Sequence, residues 1–184
     1  MGITSRDDLR AAQAPLKERY RQEPDAAITP VRAAADFSEP GITATVAGWN
    51  GPVRSGLHPA TGGDGSDACS ADLLMQALAA CAGVTLRSVA TAMGLEVRAV
   101  DIVADGVFDA RGTLGIDRSV EVGVQRVRVV ATIDTAADDT ALARLAASTE
   151  RYCVVGQSLR QPPTIEIHRA GAEAPRSTTV PLRS

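Results

Sequence analysis

The densest run of apolar residues extends from Ser70 to Met93, with Cys81 at its middle. Asp72 and Arg87 carry the only formal charges in this run, and no proline interrupts it. The pattern predicts one long helix that is apolar nearly all the way round and is therefore buried in a protein core. Helical spacing places one stripe of residues on the side of the thiol, namely Leu74, Ala77, Leu78, Cys81 and Thr85.

Shorter patterns precede this central helix. Residues 6–22 have the spacing of a polar amphipathic helix, and residues 23–29 look like a linker. Three short β-type runs follow, and the Asn50-Gly51 turn between the second and third is typical of a hairpin. A polar, glycine-rich loop at residues 58–67 then leads into the helix. The runs predict an antiparallel three-stranded meander at residues 31–37, 42–49 and 53–57.

Beyond the central helix the pattern predicts more strands. Gly94 is suited to end the helix. Valine-rich runs at residues 95–108 and 120–133 predict a second antiparallel pair, and residues 164–168 predict a last strand. The order of strands, long helix, strands, helix and strand is typical of an α+β fold.

The helix predicted between the last two strands should bring another thiol into the core. Thr135 and Asp138 resemble a capping box at its start. Cys153 comes four residues after Thr149, at the end of the apolar face, so we expect it to point into the same core as Cys81. That face consists of Leu142, Leu145, Ala146 and Thr149.

Composition narrows the class of protein. The chain has 184 residues, of which 45% are hydrophobic and 22% charged, as in an ordinary globular domain. With a net charge of -3, the chain lacks the excess of positive charge that binds nucleic acid. The uncharged stretch 73–86 is shorter than the roughly 18 apolar residues that a membrane crossing needs. We therefore expect neither nucleic acid nor a membrane as a partner. The predicted organisation is an N-terminal helix and linker (1–28), a main domain (29–169) and a polar C-terminal tail (170–184).

Cysteine usage indicates the compartment and argues against metal binding. The chain has three cysteines and begins without an apolar leader, which favours a cytoplasmic protein with reduced thiols. The cysteines and the two histidines show no metal-ligand spacing, so we expect no metal site.

Three segments give the chain a resemblance to the OsmC/Ohr superfamily of osmotically induced and organic-hydroperoxide-resistance proteins. They are DLLMQALAACAG around Cys81, GLEVRAVDIVADGVFD directly after the helix, and LARLAASTERYCVVGQSL around Cys153. The resemblance implies an OsmC-like fold, with antiparallel sheets around two central helices in an intertwined homodimer.

The same resemblance implies a thiol peroxidase site at the dimer interface. The resemblance implies that Cys81 reduces an organic hydroperoxide and that Cys153 then resolves the oxidised Cys81. An external dithiol, such as a lipoyl group, then regenerates the enzyme, and no cofactor is bound. The chemistry is reasonable for two neighbouring thiols, because a sulfenic acid on one condenses with the other to a disulfide.

The chain departs from the pattern of the peroxidase members at the start of the central helix. There a Pro-Glu pair supplies a glutamate that holds an arginine against the reactive thiol, whereas Ser70 and Ala71 occupy these positions here. The nearest acid, Asp72, comes one residue later, which rotates its side chain by about 100° around the helix. The proline that commonly follows the second cysteine is Val154.

Five residues are candidates for activating the reactive thiol or lining its pocket. Arg32 and Arg54 lie in the region of the first strands, where the family places its activating arginine. Cys69 lies at the expected start of the central helix, where free backbone N–H groups lower a thiol pKa. His58, in the glycine-rich loop, could act as acid or base, and Asp72 is the nearest acid to the helix start.

Other interpretations of these residues stay open. Both helix cysteines could be small buried hydrophobic residues, and the protein could then be a non-enzymatic relative that binds a small apolar ligand or senses oxidants. Trp49 and Tyr152 could wall an apolar pocket or simply pack in the core. Arg151 could lower the pKa of a nearby thiol or lie at a solvated helix end.

Overall fold

A computed structural model describes residues 2–171 of the chain. Residues 172–184 of the predicted polar tail lie outside this range. The α-helices within it are α1 (Arg6–Gln22), α2 (Ser70–Met93), α3 (Ala110–Thr113), α4 (Asp139–Tyr152) and α5 (Val154–Gln157). The strands are β1 (Ala35–Asp36), β2 (Thr43–Gly48), β3 (Gly51–Gly56), β4 (Ala68–Cys69), β5 (Ala99–Val107), β6 (Gln125–Asp134) and β7 (Thr164–Arg169).

The strands form two sheets, with the orders β1-β2-β3-β4 and β5-β6-β7. The predicted meander β1-β2-β3 and the predicted pair β5-β6 are both antiparallel. The expectation of wholly antiparallel sheets is wrong, however, because β4 runs parallel to β3 and β7 runs parallel to β6. Each of these strands returns after a long connection, through the glycine-rich loop or through α4 and α5, and such crossovers produce parallel neighbours.

The core lies between the inner face of the second sheet and the helices α2 and α4. Leu86 and Leu145 pack with Ile133 in one cluster of buried residues. Leu78 packs with Val129 in the other, which also contains Cys153. The first sheet packs mainly on itself and reaches the rest of the chain through β4 and the turn Pro59–Thr61.

Helix α2 has the predicted bounds, and Gly94 ends it in a left-handed conformation with φ of 71°. Its burial differs from the expectation. Leu78 is fully buried, but Val84 on the opposite side is 73% exposed, because the second sheet and α4 cover one side only. By length and composition α2 could also cross a membrane, since an 18-residue window has a mean hydropathy of 1.5. In this fold, the side of α2 that the second sheet and α4 cover is packed in the core.

Helix α4 begins differently from the prediction. Asp138 itself is the N-cap and accepts the backbone N–H of Ala141 at 2.7 Å. The proposed capping box with Thr135 is wrong because the Thr135 hydroxyl is already engaged: it donates to the Glu96 carbonyl at 2.6 Å. The predicted apolar face is confirmed at Leu142, Leu145 and Thr149, which are buried.

Helix α1 also has the predicted bounds, and Ser5 and Asp8 form a capping box at its start. It packs on α2 through Leu9, which is 7% exposed. The N-terminal helix is therefore attached to α2 rather than to the meander that follows it in sequence.

Candidate active site

Two of the three cysteines meet inside the fold. Cys81 lies half-buried in the middle of α2, and Cys153 joins α4 to α5 with 1% of its surface exposed. The two thiols are close enough for each to shift the pKa of the other. Both pack in the cluster that contains Leu78 and Val129, so the prediction that they share one core is confirmed.

Neutral hydrogen-bond donors, rather than charged groups, lower the pKa of the Cys81 thiol. Partial burial alone would raise the pKa of its thiol. The Val155 N–H and the Cys153 thiol oppose this effect by stabilising the thiolate. The Thr85 hydroxyl and the Val154 N–H contribute in the same direction, and the pKa of Cys81 falls below its ordinary value.

The pKa of the Cys153 thiol is shifted in the opposite direction, upwards. Burial raises the pKa of its thiol, and the neighbouring Cys81 raises it further, because a thiolate there would face another sulfur. The Gly156 N–H, which donates to the Cys153 sulfur at 3.4 Å, offsets only part of this effect. Cys153 is therefore the thiol that keeps its proton, and it can donate that proton towards Cys81.

This asymmetry defines what the pair can do chemically. A thiolate is the reactive form of cysteine towards electrophilic oxygen and sulfur. Cys81 has the lowered pKa that favours this form, while Cys153 stays protonated beside it as a second thiol. The arrangement suits a nucleophile followed by disulfide formation.

A groove of about 430 Å³ borders the core cluster that holds the two thiols. Leu74, Val127 and Leu159 are among its lining residues. Val127 and Leu159 also pack against the cluster that holds the two cysteines.

The predicted candidates at the start of α2 do not join the thiols within one chain. Cys69 is the N-cap residue of α2 and Asp72 is exposed on its first turn. Cys69 precedes Cys81 by twelve residues, which is roughly 18 Å along the helix axis. Neither residue can therefore contact the Cys81 sulfur of its own chain.

The two candidate arginines are also placed elsewhere. Arg54 on β3 forms ion pairs with Glu39 at 3.2 Å and with Asp67 at 3.4 Å. Arg32 is exposed in the segment before β1 and forms no ion pair within residues 2–171. Arg54 thus ties β3 to the loop that leads into α2, and neither arginine is among the groups that dominate the pKa of Cys81.

His58 and Trp49 are two further residues that the sequence offered as candidates. His58 caps the turn Pro59–Thr61 by accepting the Ala60 N–H at 3.0 Å, and its ring meets Phe108 edge to face at 5.2 Å. Trp49 is fully exposed at the tip of the β2-β3 hairpin. It therefore does not wall a pocket in its own chain.

Near the second thiol, Tyr152 is 61% exposed, and the guanidinium of Arg151 lies over its ring at 5.8 Å from the centroid. This pair occupies the outer side of the end of α4. Arg151 is not among the groups that dominate the pKa of either cysteine of the pair. Within residues 2–171, no group of three or more His, Cys, Asp or Glu side chains could hold a metal ion.

Sequence reasoning missed the donors that surround Cys81. Thr85 was on the predicted stripe of α2, but only as a member of the core face. Its spacing, four residues after Cys81, was the signal that could have identified it. The N–H groups of Val154 and Val155 had no such signal, because a backbone donor can be supplied by any residue except proline.

Several solved structures with this fold share little sequence with the chain. An OsmC-like protein from Mycoplasma pneumoniae is 15% identical, with a TM-score of 0.60 over 77% of this chain and 94% of that protein. An organic hydroperoxide resistance protein OsmC from Legionella pneumophila is 19% identical, with a TM-score of 0.56 over 78% and 98%. One from Elizabethkingia anophelis is 14% identical, with a TM-score of 0.61 over 78% and 96%. At these identities the similarity shows the fold alone.

No protein in a search of curated proteins matches the sequence. A family model described as OsmC-like protein, however, matches residues 63–168, more than half of the chain, including both Cys81 and Cys153. Family match and structural similarity together confirm the resemblance inferred from the sequence and the α+β fold. The chain therefore belongs to the OsmC-like protein family.

Proposed function

We propose that the protein is a thiol-dependent peroxidase that reduces organic hydroperoxides through Cys81 and Cys153. The observation that supports this most directly is the presence, in one core cluster, of a thiol with a lowered pKa and a buried thiol with a raised pKa. Two structural neighbours are themselves described as organic hydroperoxide resistance proteins.

In the first step, the Cys81 thiolate attacks the terminal oxygen of the hydroperoxide. An S–O bond forms, the O–O bond breaks, and the alkoxide leaves as an alcohol after taking up a proton. Cys81 is oxidised to a sulfenic acid and the peroxide is reduced. The Cys153 sulfur then attacks the Cys81 sulfur, so that a disulfide forms and the sulfenic oxygen leaves as water.

An external dithiol closes the cycle. One of its thiolates attacks the Cys81–Cys153 disulfide, and its second thiol releases the mixed disulfide, so both cysteines return to thiols and the dithiol becomes a cyclic disulfide. A lipoyl group has this chemistry. The cycle needs no bound cofactor, and a cytoplasmic location would supply such a reductant.

We also propose that the active unit is a homodimer in which a second copy covers the open side of α2. Ala77, Ala80 and Val84 share that side, and each is exposed. Cys81 borders it, because residues three or four apart lie on one side of a helix. In the first sheet and the segment before it, Val31, Phe37 and Trp49 are at least 84% exposed. A second copy could bury both surfaces.

Molar mass in solution tests the dimer. In Val84→Arg, a charge stands on the proposed interface, so we expect a monomer by light scattering where the wild type is a dimer. Ile116→Arg is the matched control, because Ile116 is 72% exposed in the segment between α3 and β6. A monomeric wild type, or a dimer that persists in Val84→Arg, would contradict the proposal.

Consumption of cumene hydroperoxide with a dithiol tests the activity. We expect turnover in the wild type and in the control Cys69→Ser, and only the uncatalysed background in Cys81→Ser. Equal inactivity of wild type and Cys81→Ser, with Cys81 unreactive to an alkylating reagent, would favour a role in binding an apolar ligand. A reversible Cys81–Cys153 disulfide without turnover would indicate a redox sensor.

A further inference from the structure

We propose that Thr85 is an activating residue of this site, whose hydroxyl stabilises the Cys81 thiolate together with the backbone N–H groups of Val154 and Val155. This inference rests on the proposed function, because the stabilised thiolate is the nucleophile of the proposed peroxide reduction. The donors all belong to the same chain as the thiol and carry no charge.

The hydroxyl of Thr85 differs from that of other helical threonines in the fold. Thr91 on α2 donates to the Arg87 carbonyl at 2.8 Å, and Thr149 on α4 donates to the Leu145 carbonyl at 2.8 Å. This bond to the carbonyl four residues earlier is the usual one for a threonine inside a helix. Within residues 2–171, the Thr85 hydroxyl makes no such bond, which leaves it available to the Cys81 side chain one turn earlier, and it contributes to the lowered pKa of Cys81.

Position on the helix brings this free hydroxyl next to the thiol. Thr85 follows Cys81 by four residues, so the two side chains lie on one side of α2, next to each other. Thr85 is half-buried and Cys81 is half-buried, which places the contact at the border between the core and the open side of the helix. A hydroxyl there can rotate to donate to a thiolate or to accept from a thiol.

The backbone donors arise at the junction of α4 and α5. Cys153 has an extended conformation, with φ of -72° and ψ of 101°, and Val154 is the first residue of α5. Among the described residues, the Val154 N–H donates to no backbone carbonyl. It is therefore free to donate to a sulfur, and it contributes to the lowered pKa of Cys81. A proline at this position could not supply it.

The experiment measures the pH dependence of Cys81 alkylation by iodoacetamide, read for each cysteine by peptide mass spectrometry. In Thr85→Val, which keeps the shape but removes the hydroxyl, we expect the midpoint for Cys81 to rise by roughly half a pH unit to one pH unit. Thr85→Ser restores the donor and should return the midpoint close to that of the wild type. Thr91→Val is the matched control and should leave it unchanged.

Val154→Pro gives a second, independent variant. Proline is well tolerated at the first position of a helix, and the extended Cys153 is compatible with a following proline, so the variant should fold. It removes a single N–H, and we expect a smaller rise of the midpoint than in Thr85→Val. A wild-type midpoint in both variants, or an equal shift in Thr91→Val, would overturn the inference.

Alkylation requires no peroxide, so the two proposals can fail separately. If Thr85→Val shifts the alkylation midpoint but the wild type consumes no hydroperoxide, the proposed function is wrong and the role of Thr85 stands. If hydroperoxide is consumed and the midpoint of Thr85→Val equals that of the wild type, the role of Thr85 is wrong and the function stands.

Discussion

The two thiols of the site lie in one core cluster but have different surroundings. Cys81 is in the interior of a long helix, where the surrounding backbone N–H groups are used by the helix itself. Its donors must come from a side chain one turn later and from another element, α5. Cys153 lies between two helices and accepts the N–H of Gly156 from its own turn.

This difference shows how one fold can give two neighbouring cysteines different tasks. The half-buried thiol acquires a lowered pKa, and the fully buried thiol acquires a raised one. A cysteine pair with equal surroundings would have no preferred nucleophile. The predictions below test whether the asymmetry is real and whether it matters for chemistry.

The largest effect is expected from removing the second thiol. In Cys153→Ser, Cys81 can still be oxidised by one equivalent of hydroperoxide, but no intramolecular disulfide can form. We expect steady turnover with a dithiol to fall to a small fraction of the wild-type rate. With one equivalent of hydroperoxide and no dithiol, the Cys81 sulfenic acid should accumulate and react with dimedone, as measured by mass spectrometry.

Cys69→Ser serves as the control for that experiment, because it removes a thiol at the start of α2 and leaves the pair intact. It should turn over like the wild type. Full turnover in Cys153→Ser would mean that the two cysteines do not act as a pair.

An effect of intermediate size is expected from pH. Since peroxide reduction requires the Cys81 thiolate, and the pKa of this thiol is lowered, activity should persist below the pH at which an ordinary cysteine becomes protonated. It should then fall about tenfold per pH unit once the pH is below the pKa of Cys81. Alkylation of Cys153 should require a higher pH than alkylation of Cys81. The reverse order of the two cysteines would contradict the asymmetry.

The smallest effect is expected from a methyl group next to the second thiol. In Gly156→Ala, the new Cβ would lie 3.3 Å from the Cys153 sulfur and 3.4 Å from Pro163, so the sulfur has to move by a few tenths of an ångström. We expect disulfide formation in stopped flow to slow by roughly twofold to fivefold. Stability should fall by about 1 kcal/mol.

Gly83→Ala is the matched control for this variant. Its new Cβ would also have a contact of 3.3 Å, but with the flexible end of Ile102 on β5 rather than with a sulfur. The rate of disulfide formation should then equal that of the wild type. An equal slowing in both variants would indicate a general packing effect.

Much of the fold could be predicted because its signals are local. The bounds of α1 and α2 follow from the periodicity of apolar residues and from the residues at their ends, Ser5 and Gly94. The parallel placement of β4 and β7 could not be predicted in this way. It depends on the route of the connections through space, which leaves no pattern in the strands themselves.

The site was predictable in part for the same reason. Helical spacing placed Cys81 and Cys153 on faces that meet in one core. The environment of the thiols could not be read from the sequence, because the Val155 N–H carries no residue signature. The open side of α2 around Val84 was also missed, since an apolar sequence does not say whether its own chain or another one covers it.

The most direct test of the central claim is the identity of the disulfide that a hydroperoxide produces. The reduced protein is treated with one equivalent of cumene hydroperoxide, alkylated and digested without reductant, and the linked peptides are identified by mass spectrometry. We predict a single link between Cys81 and Cys153, with Cys69 recovered as an alkylated thiol. Recovery of Cys153 as a free thiol while Cys81 is oxidised or linked to Cys69 would contradict the account.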